Sequence, residues 1–213
     1  PEGDVWTHTM MVIDGMAAIL DQKGGRDLAL MYAAVCHDLG KPATTEFKEG
    51  HWRSYGHDVA GLEPSRSFLA KLTEDKALIQ RVLDLVKEHM KPIQLFDADK
   101  KDGVSDSAIR RLSLRVDIKD LILFTQADYY GTLINRIGLP ECDIAKWLYD
   151  RVNSCDVYEE KPVPFLTGQD CLEHGLEPGP AIGRLIKKSF ELQLDGDIKS
   201  KEESLDWLKS QLT

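Results

Sequence analysis

The stretch AAVCHDLGKP, residues 33–42, decides the architecture of this chain. It continues an apolar run that starts at Leu28, a composition typical of a buried helix. Gly40 and Pro42 are helix stop signals, so we expect a helix over residues 27–38. The adjacent pair His37-Asp38 therefore occupies the last turn of a helix that is otherwise hydrophobic.

Three further helices are predicted to carry an ionisable residue on their apolar side, at Asp128, His89 and His8. Asp128 follows Leu121 and Phe124 at spacings of seven and four, the spacing of one helix face. His89 and His8 stand on apolar stripes in the same way. A carboxylate moved into a core costs several kcal/mol unless it is paired, protonated or bound to a cation. Ionisable residues on the apolar faces of three separate helices call for a common explanation.

A divalent metal site would explain these positions together. Imidazole and carboxylate groups are ligands for borderline and hard divalent ions, and the three helix faces need only converge on His37-Asp38. His57, in the segment GHDVAG, completes an ordered set H…HD…H…H…D. The candidate metal ligands are His8, His37, Asp38, His57, His89 and Asp128.

Each residue also has a structural interpretation. His8 or His89 alone could be a hydrogen-bonded core histidine. Lys41 could bind a substrate phosphate, or it could complement the negative end of the helix dipole. Asp128 could form a buried ion pair with an arginine of the preceding helix, namely Arg110, Arg111 or Arg115.

Several segments together resemble the HD superfamily of metal-dependent phosphohydrolases, named for the His-Asp pair. They are similar in particular to the C-terminal HD region of bacterial CCA-adding tRNA nucleotidyltransferases. The segments are PEGDVWTHT (1–9), CHDLGKPATT (36–45), GHDVAG (56–61) and the stretch from TGQDCLEHG to LDGDI (167–198).

This resemblance implies an all-α domain that binds a divalent metal through His8, His37, Asp38 and Asp128. In dinuclear relatives the positions of His57 and His89 hold a second ion. The expected cofactor is one or two divalent ions among Mn, Ni, Fe, Co, Zn and Mg. The number of imidazoles weighs against Mg.

The resemblance also implies phosphatase, 2′-nucleotidase or 2′,3′-cyclic phosphodiesterase activity, with catalytic roles for Asp38, Lys41, His57 and His89. Asp38 would bridge two ions, and Lys41 would contact the substrate phosphate. With two ions His57 and His89 would be ligands; with one, either could act as general acid or position phosphate, so His57 is also a substrate-binding candidate. The alternative is a non-catalytic helical module that binds nucleotide or RNA and supports a nucleotidyltransferase domain. A third possibility is a dinuclear enzyme acting on a signalling dinucleotide or on dNTPs.

The nucleotidyltransferase motif itself, a Gly-Ser pair followed by D-x-D, does not occur in these 213 residues. We therefore do not expect nucleotide addition from them. An excised domain and a free-standing descendant both fit this observation.

Composition indicates a helical domain with an appendage. With 42% hydrophobic and 30% charged residues, 213 residues can bury a substantial core. The paired prolines of KPVPFLTGQD suggest a boundary near 160, giving an HD domain over 1–160 and a helical extension over 161–213 packed on it. We expect no membrane segment, and we interpret the four cysteines as reduced thiols of a cytoplasmic protein.

The net charge of −9 limits the choice of partner, because most nucleic-acid affinity comes from neutralised phosphates. Strong autonomous nucleic-acid binding is not expected. A small nucleotide or phosphoester, or the 3′ end of tRNA presented by another domain, fits better. The oligomeric state, including a homo-oligomer, stays open.

Helical periodicity covers most of the chain, and the exception is TEFKEGHWRSY, residues 45–55, which we predict as a β-hairpin turning at Glu49-Gly50. It leads directly into Gly56-His57, so we interpret it as a candidate lid. The predicted helices are 4–21, 27–38, 57–72, 75–89, 106–114, 117–134, 141–158, 168–174, 178–193 and 200–211.

Overall fold

A computed structural model describes residues 4–132 and 139–212. It is all-α with one small hairpin, which confirms the predicted fold class. The helices are α1 (Val5–Gln22), α2 (Leu28–Cys36), α3 (Lys41–Thr44), α4 (His57–Ala60), α5 (Leu62–Leu69), α6 (Lys76–Glu88), α7 (Lys91–Asp99), α8 (Asp106–Arg115), α9 (Ile118–Gly131), α10 (Asp143–Ser154), α11 (Gly168–Glu173), α12 (Pro180–Asp195) and α13 (Lys201–Leu212).

The chain forms two compact units. The first combines Pro1–Gly103 with Arg115–Asp150, and the second combines Val104–Leu114 with Arg151–Thr213. Within the described ranges, no helix has both the length and the apolar character that crossing a bilayer requires. The boundary near residue 160 stays a prediction.

Four helices of the first unit begin with the same device, an aspartate at the N-cap. Asp4, Asp27, Asp75 and Asp117 each accept hydrogen bonds from backbone N–H groups of the first turn of α1, α2, α6 and α9. Such caps satisfy donors that a helix start leaves unpaired. The four helices pack as α1 on α9 and α2, and α2 on α6. Their shared core contains Val12, Met16, Leu30, Leu85, Leu121 and Phe124.

The predicted hairpin is confirmed as β1 (Glu46–Lys48) and β2 (His51–Arg53), paired antiparallel. The turn residues Glu49 and Gly50 have φ values of 53° and 81°. Two positive φ values in succession match a type I′ turn, whose twist suits a two-residue hairpin.

The helices differ from the prediction in several places: α3 was not predicted, for example, and the helix predicted over 141–158 spans only Asp143–Ser154. The helix predicted over 57–72 is divided into α4 and α5 at Gly61, where the backbone approaches another segment closely. Helix α7 was not predicted, although Pro92 in its first turn is compatible with a helix start. The helix predicted over 117–134 ends at Gly131, and residues 133 and 134 lie outside the described ranges.

The second unit has a small core of its own, formed by Leu166, Cys171 and Leu208 under α11, α12 and α13. A capping box begins α11, since Thr167 accepts from the Asp170 N–H and the Asp170 side chain accepts from the Thr167 N–H. All four cysteines, Cys36, Cys142, Cys155 and Cys171, are buried free thiols.

Candidate metal centre

The six predicted ligands come from five helices of the first unit and lie together. His8 and Asp128 are inside α1 and α9, His37 directly follows α2, His57 begins α4, and His89 directly follows α6. They form two groups in which one ligand atom per residue lies within 4.8 Å of the others. The groups are His8, His37 and Asp128, and Asp38, His57 and His89.

In the first group the imidazole of His8 lies between two partners. Its Nε2 is 3.2 Å from Nε2 of His37 and 3.1 Å from Oδ1 of Asp128. The Asp128 side chain is 27% exposed, whereas the two histidines are buried. The group is thus open to solvent on the Asp128 side.

Asp38 joins the two groups. Its Oδ2 is 3.3 Å from Nε2 of His37, and its Oδ1 is 3.5 Å from Nε2 of His57. In the second group, Nε2 of His57 is 3.1 Å from Nε2 of His89. Asp38 therefore offers one oxygen to each group, as expected for a bridging carboxylate.

Backbone carbonyls fix the orientation of the His37, His57 and His89 rings. Nδ1 of His37, His57 and His89 lies 3.0, 2.6 and 2.6 Å from the carbonyl oxygen of the residue three positions earlier. A carbonyl only accepts, so Nδ1 is the donor, and a neutral ring then carries its lone pair on Nε2. This arrangement is typical of histidines that bind a metal through Nε2.

The facing Nε2 atoms of His57 and His89 provide a test of whether a cation fits. Two lone pairs at 3.1 Å repel each other unless a positive charge lies between or beside them. Imidazole nitrogens bind divalent ions at about 2.0–2.1 Å, so two nitrogens at this separation can contact the same ion. The residues present therefore fit a divalent metal.

The electrostatics keep the carboxylates in the form that binds a metal. Burial alone would raise the pKa of Asp38, but hydrogen bonding and charge from His37, with the Lys41 ammonium, lower it below its usual range. Burial would likewise raise the pKa of Asp128, and the hydrogen bond from His8 outweighs it, so that this pKa is also lowered. Both groups are ionised at neutral pH.

The histidines differ in their preference for a proton. Burial, reinforced by the neighbouring His37, lowers the pKa of His89 to about 4, so its ring is neutral at pH 7. Burial also acts to lower the pKa of His8, but the hydrogen bond and charge of Asp128 outweigh it and raise this pKa. A metal bound here would displace the proton shared by His8 and Asp128.

Close backbone contacts bring the ligand-bearing segments together. A Cβ on Gly40 would lie 2.0 Å from the His57 carbonyl oxygen, so only glycine allows this approach. We predicted Gly40 as a helix stop, but α2 already ends at Cys36 and Gly40 has an ordinary φ of −81°. The requirement is space for α4, which places His57 beside Asp38.

Two further residues support the site and were not predicted from the sequence. A Cβ on Gly131 would lie 2.9 Å from Cε1 of His8, so this glycine lets α9 approach α1. The Phe124 ring packs edge-on against His37 and His89 at centroid distances of 5.6 and 6.3 Å. Gly131 is three residues after Asp128 and Phe124 is four residues before it, so both lie on the same helix face as Asp128. This spacing could have indicated them as residues that support the site.

The structure also decides among the alternatives. Asp128 is hydrogen-bonded to His8, while Arg115 donates to Glu88 at 3.0 Å and Arg111 to Glu191 at 2.8 Å. The ion pair considered for Asp128 is therefore not the arrangement seen among the described residues.

Lys41, the predicted phosphate contact, lies at the same centre. Its Nζ is 2.7 Å from Oδ2 of Asp38, and its side chain is 27% exposed. The ammonium is thus held beside the candidate ligands on the solvent side, which leaves its phosphate role as a prediction.

Comparison with known proteins places this centre in a family. The HD domain model matches residues 5–133, a range that contains all six candidate ligands. The chain is 28% identical over 209 residues to a CC-adding tRNA nucleotidyltransferase of Thermus thermophilus, covering 95% of this chain and 44% of the relative. It is also 28% identical over 207 residues to an A-adding tRNA nucleotidyltransferase of Deinococcus radiodurans, covering 94% of this chain and 45% of the relative.

A multifunctional CCA protein of Pasteurella multocida is 29% identical over 171 residues, covering 75% of this chain and 39% of the relative. The chain thus spans less than half the length of these curated relatives. The match over residues 5–133, together with the assembled His and Asp residues, shows that this chain belongs to the HD domain family.

Proposed function

We propose that this chain is a metal-dependent phosphohydrolase that acts on nucleotides or on terminal or 2′,3′-cyclic phosphates. The observation that carries the proposal is the position of Asp38 between two histidine groups, with one carboxylate oxygen near each. Structural histidines have no need to present Nε2 lone pairs to one another, whereas a hydrolase that binds cations does.

The ligands we assign are His8, His37 and Asp128 for one ion and His57 and His89 for a second, with Asp38 shared. A bound divalent ion lowers the pKa of water towards neutrality and neutralises charge on a phosphoryl group, as phosphoester hydrolysis needs. The ion is drawn from Mn, Ni, Fe, Co and Zn, with Mg less suited to so many imidazoles.

The protein supplies a further charge and a proton carrier. Lys41 Nζ, held 2.7 Å from Asp38 and partly exposed, is the group we assign to a phosphate oxygen of the substrate. If only one ion binds, Nε2 of His57 is free to exchange a proton with water or with the leaving oxygen. The hydrogen bond from its Nδ1 to the Ser54 carbonyl, at 2.6 Å, holds the ring in the tautomer this requires.

The relatives suggest where such a substrate arises. Their names describe addition of nucleotides to tRNA, so the 3′ end of tRNA is the partner we infer for this centre. The net charge of −9 argues that the RNA is held elsewhere and presented to this domain. We assign no nucleotide addition to these residues.

A combined metal and activity measurement tests the proposal. Purified protein would be analysed for bound metals, then loaded with each candidate ion and assayed on bis-p-nitrophenyl phosphate, 2′,3′-cAMP and 2′-AMP. We expect one or two metal equivalents and hydrolysis of at least one nucleotide. Protein that binds no metal and hydrolyses none of these would instead be the non-catalytic nucleotide- or RNA-binding module.

A further inference from the structure

Exposed hydrophobic side chains lie close in sequence to several of the candidate metal ligands. Trp6 is two residues from His8, Leu39 follows Asp38, and Tyr55 is two residues from His57. These three side chains are 73%, 36% and 67% exposed. The residues next to these ligands in the chain thus include exposed apolar and aromatic side chains.

The strongest part of this surface is the hairpin, residues 45–55. Phe47 and Trp52 are directly paired across β1 and β2 and are 62% and 72% exposed. Their ring centroids are 5.2 Å apart in an edge-to-face arrangement. Two large rings that hold each other in place while exposed to water offer flat, pre-organised faces to a ligand.

The hairpin is hydrogen-bonded to the metal centre. The hydroxyls of Thr45 and Ser54 are 2.8 Å apart at its base, and the Ser54 carbonyl accepts from Nδ1 of His57 at 2.6 Å. The base of the hairpin is therefore joined to one of the candidate ligands.

Cations accompany the rings. Lys48 lies on the opposite side of the strands from the rings. The Arg53 guanidinium lies 5.6 Å from the Tyr55 ring centroid and donates to its hydroxyl at 2.7 Å. A hairpin that carries aromatic rings on one face and cations on the other offers both stacking and phosphate contacts to an unpaired nucleotide.

We propose that the hairpin rings Phe47 and Trp52 bind the base of a nucleoside phosphate whose phosphate group lies at the metal centre. This inference rests on the proposed function and narrows its substrate class, since a phosphoester without a base would not use the hairpin. The ligand is either a free nucleotide or the unpaired 3′ end of an RNA strand, because both present the same base and phosphate.

The size of the surface favours a base over a protein partner. An aromatic side chain buries about 150–250 Å² when covered, so two rings match one or two bases. A stable protein interface needs about 800 Å² from each partner, well above what this pair offers.

The test compares two substrates in a double variant. Phe47→Ala/Trp52→Ala would be assayed on 2′,3′-cAMP and on glycerol 1,2-cyclic phosphate, which lacks a base. Because stacking on an aromatic ring strengthens binding by about tenfold or more per base, we expect kcat/KM for 2′,3′-cAMP to fall at least tenfold, mainly through KM. The rate with the base-free substrate should stay within about twofold of wild type.

A matched control is Leu28→Ala, because Leu28 is 63% exposed and begins α2, at the end opposite His37. It should leave both substrates unaffected. A second variant, Trp52→Phe, keeps a stacking ring and should retain the wild-type KM for 2′,3′-cAMP.

A binding measurement separates this inference from the proposed function. In metal-free protein, 2′-AMP should quench tryptophan fluorescence, and the quench should disappear in Trp52→Phe although calorimetry shows unchanged binding. This titration decides the question even if the wild type hydrolyses nothing, an outcome that would refute the proposed function alone. A quench that persists in Trp52→Phe would place the base elsewhere and overturn the inference.

Three other results would also overturn it. Equal losses on both substrates would mean that the hairpin only supports His57. No loss on either would mean that the rings do not touch substrate. A lower molar mass of the double variant by light scattering, with unchanged nucleotide binding, would assign the rings to a contact between copies of this chain.

Repeating the comparison with a short RNA that ends in a 2′,3′-cyclic phosphate identifies the source of the base. A larger loss for the RNA than for 2′,3′-cAMP would point to a strand end, and an equal loss to a free nucleotide. Both results support binding of the base by the hairpin.

Discussion

Helix α9 carries two carboxylates with opposite surroundings. Asp120, near its start, receives hydrogen bonds from Nε and Nη2 of Arg81 at 2.6 and 2.8 Å. The same guanidinium donates to Asp27 at 2.7 Å. Asp128, eight residues further along, faces imidazoles, with Nε2 of His8 at 3.1 Å and Nε2 of His37 at 3.8 Å.

The first cluster is complete and the second is not. A guanidinium offers fixed donors in a planar fork, so Arg81 reaches both carboxylates, and Asp27 also accepts from the first turn of α2. Near Asp38, by contrast, the Nε2 atoms of His57 and His89 present lone pairs to one another, an arrangement that suits a cation. Acceptors that face one another beside a buried carboxylate therefore indicate a functional site.

The largest expected effect comes from breaking the incomplete cluster at the residue that joins its two groups. Asp38→Ala should reduce hydrolysis to the background rate and lower the bound metal, because both groups lose an oxygen ligand. Circular dichroism should still show a folded helical protein. Asp97→Ala, which removes an exposed carboxylate from α7, is the matched control; a fully active Asp38→Ala would refute the assignment.

A glycine substitution should disrupt the same cluster through the backbone. Gly40→Ala places a Cβ 2.0 Å from the His57 carbonyl oxygen, and the forced shift should cost about 3 kcal/mol of unfolding free energy. Urea denaturation measures this loss. Gly183→Ala on α12, where a Cβ would meet nothing within 4 Å, should be neutral or stabilising. Equal stability of the two variants would contradict the close packing of α4 against Gly40.

Metal removal distinguishes the two clusters without any mutation. An ion present at about 100 times its dissociation constant stabilises a fold by about 2.7 kcal/mol. Chelation should then lower the melting temperature of wild-type protein by about 5–10 °C. Asp38→Ala should show almost no shift, and an undiminished shift in that variant would place the ion outside this centre.

The cluster of Arg81, Asp27 and Asp120 should contribute to stability without affecting metal binding. Asp120→Asn leaves Arg81 with one carboxylate and should cost about 2 kcal/mol of stability, since hydrogen bonds to a charged group are lost. Its metal content and its melting shift on chelation should match those of wild type. Loss of metal in this variant would show that the two clusters are not independent.

The smallest expected effect is the pH dependence of the stability of metal-free protein. His89 has a folded pKa of about 4 against 6.5 in the unfolded chain, so the unfolded state binds more protons between these values. The free energy of unfolding should therefore fall as pH drops from 6.5 towards 4, by on the order of 2 kcal/mol. The pKa of His8 is raised, so its contribution changes above pH 6.5 and is nearly constant over this range.

Denaturation curves at several pH values measure this dependence. The dependence should weaken in His89→Gln, which retains a polar side chain but cannot titrate. An identical pH profile in His89→Gln would show that another group is responsible.

Local patterns were sufficient to predict much of the fold. Asp128 was placed on an apolar helix face by Leu121 and Phe124, and both of those residues are fully buried. Glu49-Gly50 predicted the hairpin turn, because a polar residue followed by glycine between two alternating strands is typical of a two-residue hairpin turn. Helix boundaries were close wherever an N-cap aspartate was present.

Helix α7 shows what local patterns miss. Lys100 lies 3.8 Å from the Phe96 ring centroid, Phe96 packs on Trp147, and Trp147 donates to Asp99 at 2.8 Å. The two contacts with Trp147 join residues about fifty positions apart, and the periodicity of residues 91–99 alone does not contain them.

The sequence by itself determined most of the helical segments, the apolar face of the main helices, and the ionisable side chains that interrupt those faces. Spacing along the chain records such features because they repeat within a few residues. Only the tertiary structure decided that Arg81 satisfies Asp27 and Asp120, whereas Asp38 and Asp128 face histidines. The physical reason is that a charge takes its partner from whichever helix packs beside it, and close contacts such as that of Gly40 with His57 set that packing.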